Sequence, residues 1–221
     1  MSKEEQDALL EALLHHVAFD GWGQEALQRA AAALEMDPVQ AGEILPGGAR
    51  GQVLAFSDWA DRAMLAALLE QELDGMGMTA KVALAVRLRF QALEPHREAL
   101  RRSLSILLQP SNATAGIAAL HRTCDTIWNA LGDRSTDHNW YSKRMLLGGV
   151  ISASTLYWLD DSSEGKERTW DFLDRRLRSV VKIGGKLGKA AKAALSVPDR
   201  LVRGAQDCQA WRRQTWQGSR S

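Results

Sequence analysis

Two histidine-containing pairs, one glycine-rich loop and one aromatic–charged run are the places in this 221-residue chain where chemistry could reside. His15 and His16 are adjacent, so on a helix they face different ways and cannot share a metal. No HExxH or paired CxxC spacing accompanies them. His138 beside Asp137 has the types for acid–base work, but an isolated pair in a polar stretch reads as a turn residue and a helix cap. Pro46-Gly47-Gly48-Ala49-Arg50-Gly51 matches neither GxGxxG nor a P-loop and follows no strand, and no GxSxG elbow occurs. Cys124 and Cys208 lie too far apart for a redox or zinc motif. Asn112-Ala113-Thr114 has the form of a glycosylation sequon and reads as a helix N-cap. The expectation is a protein without catalytic residues, metal or cofactor.

The densest run of unusual residues is Asp125–Arg144. It joins a polar turn (Gly132–Asn139) to Trp140, Tyr141 and Arg144 at the start of a helix. Trp, Tyr and Arg dominate binding hot spots. Trp140 and Arg144 share a helix face at i, i+4. The same pattern also suits a core tryptophan with an ion-paired arginine, and composition alone leaves both open.

The elements that would hold these residues are helical throughout. Leu9, Leu10, Leu13, Leu14 and Val17 form an apolar stripe ended by Asp20-Gly21. Helices are expected over Gln24–Leu34, over Val39–Ile44 behind Asp37-Pro38 as N-cap and first position, and over Gln52–Leu73. More follow over Thr79–Leu93, His96–Leu108, Ala113–Leu131 and Asn139–Leu159, with Gly148-Gly149 a possible interruption. The last runs from about Ser163 through Trp170, Phe172, Leu173 and Leu177. The fold class is all-α. A head of three short helices (1–50), a larger bundle (51–178) and a tail (179–221) give the plan of TetR-like regulators, with Gly21-Trp22 between the first two helices.

Charge separates that shape from its usual function. The formal net charge of +1 is a cancellation. Residues 1–165 carry 14 Lys and Arg against 22 Asp and Glu, while 166–221 carry 14 against 5. In the head, only Lys3, Arg29 and Arg50 face nine acids, and Pro38–Leu45, where a recognition helix would lie, has no cation and one glutamate. Phosphate contacts supply most of the affinity of a DNA reader, so such a surface repels a duplex. No nucleic acid is expected.

The run Gly132-Asp133-Arg134-Ser135-Thr136-Asp137-His138-Asn139-Trp140-Tyr141-Ser142-Lys143-Arg144 resembles the signature of the Coq nine family, lipid-binding accessory proteins of ubiquinone biosynthesis. The likeness extends to Asp125–Trp128 and Thr169–Arg176, and to His16-Val17, Gly21-Trp22 and Leu45–Gly48, covering about 6–178. It implies a TetR-like fold, a homodimer, and an apolar pocket holding an isoprenoid quinone or phospholipid. It implies no catalysis, and association with the di-iron demethoxyubiquinone hydroxylase. It also implies a partner patch of Ile127, Asp137, Trp140, Tyr141 and Arg144, with Arg144 near a lipid headgroup. His138 stands where the family has a bulky aromatic. A polyprenyl quinone is too apolar to diffuse through water, so its carrier needs a dry cavity. Leu84, Leu88, Leu104, Leu108, Ile127 and Leu131 lie on amphipathic helices and are the candidate lining.

The tail offers a second interaction surface. Projected at about 100° per residue, Val180, Val181, Ile183, Leu187 and Leu195 fall on one face of 178–195. Arg178, Lys182, Lys186, Lys189 and Lys192 fall on the other. A cationic face opposite an apolar one suits an anionic membrane surface, although Gly184, Gly185 and Gly188 weaken a helix in water. Met1–Asp7 is acidic, without the apolar core of a secretory signal or the Arg-rich character of a transit peptide. Peripheral attachment to the inner membrane from the cytoplasm is therefore expected. The alternatives are a TetR-like regulator with a lipid effector and an enzyme acting on the quinone itself.

Overall fold

The computed structural model describes residues 2–133 and 138–180, the side chains of 138–141 excepted. Among the described residues there are helices and turns and no strand. Met1–Arg178 forms one compact unit, and Ser179–Ser221 is assigned to a second.

Helix α1 (Lys3–Asp20) starts at a capping box, in which the Ser2 hydroxyl accepts from the Glu5 amide and the Glu5 carboxylate accepts from the Ser2 amide. Its five apolar stripe residues are all buried, and it ends at Gly21 with φ +76°. Helix α2 (Gln24–Ala33) packs along it, and α3 (Pro38–Ile44) begins at Asp37, whose carboxylate accepts from the Gln40 amide. These three helices are fastened to the bundle. The Trp22 indole N–H donates to the Ala99 carbonyl at 3.0 Å, and its ring lies 5.4 Å from that of Phe56.

Helix α4 (Gly48–Leu69) starts four residues before the Gln52 expected from the apolar pattern. The glycines treated as breakers are what allow this. Gly47 caps the helix in the left-handed region at φ +87°, and a Cβ on Gly51 would lie 1.7 Å from the Pro46 carbonyl oxygen. The glycine-rich loop Pro46–Gly51 is thus a joint between head and bundle.

Helix α5 (Met78–Leu93) passes through a single 3-10 turn at Glu94–His96 into α6 (Arg97–Leu107). Helix α7 (Ala113–Ala130) follows. Asn112 occupies its N-cap position, but the side chain makes no capping bond and donates instead to the Ile106 carbonyl at 3.1 Å. Helix α8 (His138–Asp160) runs unbroken through Gly148-Gly149. Gly148 permits close packing rather than a break: a Cβ there would already sit 3.4 Å from Leu120 and 3.6 Å from the Cys124 sulfur. After a short 3-10 turn at Glu164–Lys166, a last helix, α9, covers 167–180.

Two arginines of α6 fix the far end of α8. Arg97 donates to the carbonyls of Trp158 and Leu159 at 2.8 and 2.9 Å, and Arg101 donates to Leu159 at 2.9 Å. Cations at a helix C-terminus satisfy its orphan carbonyls and complement its dipole. Arg97 also lies over the buried Trp158 ring, which stacks on Phe90 at 5.3 Å. These contacts set the spacing of α6 and α8, and a cavity lies between them.

Candidate functional site

The cavity has a volume of about 430 Å³. One wall is α6, through Leu100, Ser103, Leu104, Leu107 and Leu108. The opposite walls are α7, through Gly116, Ile117, Leu120 and Thr123, and α8, through Ile151, Thr155 and Leu156. Helix α4 contributes Val53, Phe56 and Ser57, and α5 contributes Arg89 and Leu93. The lining is graded. Leu108, Ile117 and Leu156 are largely exposed and form the rim, whereas Val53, Phe56, Arg89, Leu93, Ser103 and Thr123 are buried and form the floor. Most of these residues are aliphatic, and a space of this size suits a small apolar ligand or part of a larger one.

The floor contains a charged pair. Arg89 Nε donates to Asp61 Oδ1 at 2.6 Å, with both side chains about nine-tenths buried. The Thr123 hydroxyl donates to Asp61 Oδ2 at 2.8 Å, and Arg89 Nη2 donates to the Ser57 hydroxyl oxygen at 3.2 Å. Burial of two charges is tolerable only with such pairing and extra hydrogen bonds. Ser103 and Thr155 bond back to the Ala99 and Ile151 carbonyls of their own helices, both at 2.8 Å. Cys124, the residue after Thr123, is fully buried, and burial first, with Asp61 second, pushes its thiol pKa up to about 12. It is a neutral core side chain, not a nucleophile.

The expected lipid-lining residues divide. Leu104 and Leu108 line the cavity, whereas Leu84, Leu88, Ile127 and Leu131 do not. Leu88 and Ile127 are buried in the ordinary core. Ile127 lies one turn past Thr123 on α7, beyond the polar floor. On α5 the floor is Arg89 itself, and Leu84 and Leu88 precede it.

The expected partner patch is also rearranged. Ile127 is fully buried and Arg144 is 2% exposed, so neither lies on the surface. Arg144 Nε donates to Asp125 at 2.7 Å, and its guanidinium lies 3.7 Å from Asp133. Lys143 pairs with Asp133 at 2.7 Å and lies over the Trp128 ring. Arg144 is therefore a clamp between α7, the turn after it and α8, and it does not line the cavity. Trp140 and Tyr141 stand in the first turn of α8, with side chains outside the described residues, and Asp137 lies outside them altogether. Of the membrane-facing set, Arg178 is exposed and Val180 half-buried on α9. Val181, Lys182, Ile183, Lys186, Leu187, Lys189, Lys192 and Leu195 lie outside the described residues. Among the described residues no helix is long and apolar enough to cross a membrane.

The sequence reading missed Asp61, Arg89, Thr123 and Ser57. A signal was present: Asp61 falls on the same face of α4 as Ser57, Met64 and Leu68, and Arg89 stands on the α5 face of the buried Val82, Val86 and Leu93. Charges at core-facing positions mark either a buried pair or a site.

Comparison with known proteins places this geometry. The COQ9 family model matches residues 113–184, which include α7, α8 and the turn between them. The COQ9-B ubiquinone biosynthesis protein of Xenopus laevis is 31% identical over 205 residues, covering 89% of this chain and 69% of that protein. The chain belongs to the COQ9 family. Other COQ9 relatives agree: the rat protein is 33% identical over 207 residues and the human protein 31% over 206. Each alignment covers 90% of this chain, which spans just under two thirds (64% and 63%) of those mitochondrial relatives. In structure, a TetR transcriptional regulator from Nitrosomonas europaea superposes with a TM-score of 0.66 at 19% identity, covering 81% of this chain and 99% of the regulator. The COQ9 family member thus has a TetR-like all-α fold.

Proposed function

We propose that this chain is a non-enzymatic accessory protein of ubiquinone biosynthesis. In this reading it takes an isoprenoid quinone intermediate or a phospholipid into the α6–α7–α8 cavity and presents substrate to the demethoxyubiquinone hydroxylase at the membrane. The observation that carries the reading is the aliphatic cavity with an exposed apolar rim, in a chain whose relatives are named ubiquinone biosynthesis proteins. A ligand entering past Leu108, Ile117 and Leu156 removes its own apolar surface and theirs from water. The protein acts as a homodimer, peripherally attached to the inner membrane. Lipid extracted from the natively purified protein and analysed by mass spectrometry should contain a prenylated quinone precursor or phospholipid in near-stoichiometric amount. Ligand-free protein from a quinone-producing cell would remove the reading.

Two surfaces complete the proposal. The partner patch narrows to Asp137, Trp140 and Tyr141, since Ile127 and Arg144 are buried. Trp140→Ala with Tyr141→Ala should abolish hydroxylase capture while the circular dichroism spectrum stays helical; unchanged capture removes the patch. Truncation after Arg176 deletes the cationic face of 178–195. It should cut flotation with anionic liposomes several-fold yet leave the cavity ligand bound.

The TetR-like fold keeps a regulator with a lipid effector as the second reading. Against it stands the exposed face of α3, made of Pro38, Val39, Gln40 and Glu43, without a cation. Salt-sensitive binding of the purified protein to duplex DNA would decide for the regulator. Turnover of a quinone precursor by the protein alone would decide for an enzyme.

A further inference from the structure

In a chain that is 25% charged, two long stretches carry no Asp, Glu, Lys, Arg or His: 103–120, of 18 residues, and 145–159, of 15. Interior packing explains only part of each. Residues 108–111, Ile117 and Ala118 of the first stretch are exposed, as is Leu156 of the second. Leu108, Ile117 and Leu156 are the rim of the cavity, so its mouth opens through a surface without charge.

The turn between α6 and α7 at that mouth keeps its backbone polar groups to itself. The Leu108 and Gln109 amides donate to the Leu104 and Ile106 carbonyls at 2.9 and 3.3 Å, and the Asn112 amide donates to the Gln109 carbonyl at 2.9 Å. Residue 110 is a proline, with no N–H to satisfy. The Asn112 side chain adds a second bond to the Ile106 carbonyl. Gly116 lets α7 close on α6, since a Cβ there would sit 3.3 Å from that of Leu107. A hairpin bonded internally in this way gives up few hydrogen bonds on leaving water.

These features fit a bilayer better than a protein partner. Protein hot spots are built on Trp, Tyr and Arg, with Leu and Ser under-represented, and none of the exposed residues just named is aromatic or charged. Entry into a bilayer demands little more than the absence of charge, because an unpaired charge is the costly thing to bury there. Cations stand at the border instead. Arg101 and Arg102, which share Glu98, precede the first stretch, and the exposed Arg122 follows it. Arginines around an uncharged apolar surface suit anionic headgroups. We propose that the α6–α7 turn and the cavity rim form a membrane-docking surface of the folded bundle itself, in addition to the tail. It seats the open mouth on an anionic bilayer, so that an apolar ligand passes between lipid and cavity without crossing water. The passage of ligand rests on the lipid-carrier reading; the docking does not.

The test uses the full chain in a Cys208→Ser background, with the buried Cys124 left in place. Ser111→Cys and Ala118→Cys, both exposed and neither lining the cavity, each carry an environment-sensitive dye. Val39→Cys on α3, where the native side chain is 69% exposed, is the control. Vesicles of phosphatidylcholine and phosphatidylglycerol are added, with and without a nitroxide on the acyl chain. Emission from 111 and 118 should move to the blue, gain about 2-fold in intensity and be quenched by the nitroxide, while the dye at 39 stays aqueous. Leu108→Asp with Ile117→Asp should keep the helical circular dichroism spectrum and weaken vesicle binding about 10-fold. A vesicle-bound chain whose dyes at 111 and 118 stay aqueous overturns the docking surface and leaves attachment to the tail. A blue shift that needs no vesicles, whether it grows with protein concentration or follows added hydroxylase, overturns it in favour of a protein partner. Failure of the full chain to sediment with vesicles overturns both this surface and peripheral attachment. Dyes that enter the bilayer on a chain that co-purifies with no lipid support the docking and overturn the carrier reading alone.

Discussion

Two buried arginines, Arg89 and Arg144, stand on either side of three consecutive residues of α7 and have different roles. Thr123 bonds to the Asp61 that pairs with Arg89, and Asp125 pairs with Arg144. Cys124, fully buried, lies between them. Arg89 has one carboxylate and a cavity beside it; Arg144 has two carboxylates and no cavity. Charge compensation beside an open space leaves the pair lining that space, whereas compensation from two sides of a turn makes a clamp. Residue type does not distinguish the two; what surrounds each guanidinium does.

The contrast can be broken most directly through stability. Arg144→Leu leaves the half-exposed Asp125 without this counter-charge and Asp133 with Lys143, and should cost about 2–3 kcal/mol in urea unfolding. The folded fraction should retain the lipid that co-purifies with the native chain, since Arg144 does not line the cavity. A cost below about 1 kcal/mol would remove the clamp. Replacing Arg89 and Asp61 together by leucines takes away both charges at once, and stability should change by less than about 2 kcal/mol because the exchange is between a buried pair and apolar packing. A large loss there would make the two arginines alike.

Cys124 reports on both clusters. With its pKa pushed up to about 12, the thiol is overwhelmingly neutral at pH 8. In a Cys208→Ser background, alkylation at that pH should be very slow. Arg144→Leu should speed it at least 10-fold by opening the α7–α8 contact, whereas Ser57→Ala should not change it.

The smallest expected effect is one of pH, and it acts on the cavity side alone. His96 meets the rings of Phe56 and Trp59 edge-on, and burial first, with nearby His15 second, lowers its pKa below the ordinary 6.5. The unfolded chain therefore takes up the proton first as pH falls, so this group's contribution is intact at pH 7 and declines below about 6.5. A His96→Leu variant should show a shallower loss of melting temperature between pH 7 and 5. Identical slopes would remove the histidine from the account.

The all-α fold and most helix limits were legible because apolar spacing and the punctuation at Asp20-Gly21, Asp37-Pro38 and Pro95 act locally. The start of α4 was not. Glycines that usually interrupt a helix here permit one, and that depends on how close the Pro46 carbonyl comes to Gly51. Leu104 and Leu108 were legible as lining because they recur four apart along α6 and its C-cap. Asp61 and Arg89 were not, since they find each other across 28 positions of sequence. Arg144 was legible as unusual, but its burial depends on carboxylates 19 and 11 residues upstream that close over it only after the turn has formed.

Helix α6 touches three parts of the molecule. Its Ala99 carbonyl holds the Trp22 indole, its Arg102 holds the Ala18 carbonyl at the end of α1, its Arg97 and Arg101 hold the end of α8, and its Ser103 and Leu104 line the cavity. This eleven-residue helix is thus shared between the head, the end of α8 and the cavity. Turning it by one residue would release the indole, uncap α8 and carry Ser103 out of the cavity in a single motion. A shift of α6 would therefore be felt at the head and at the cavity wall together.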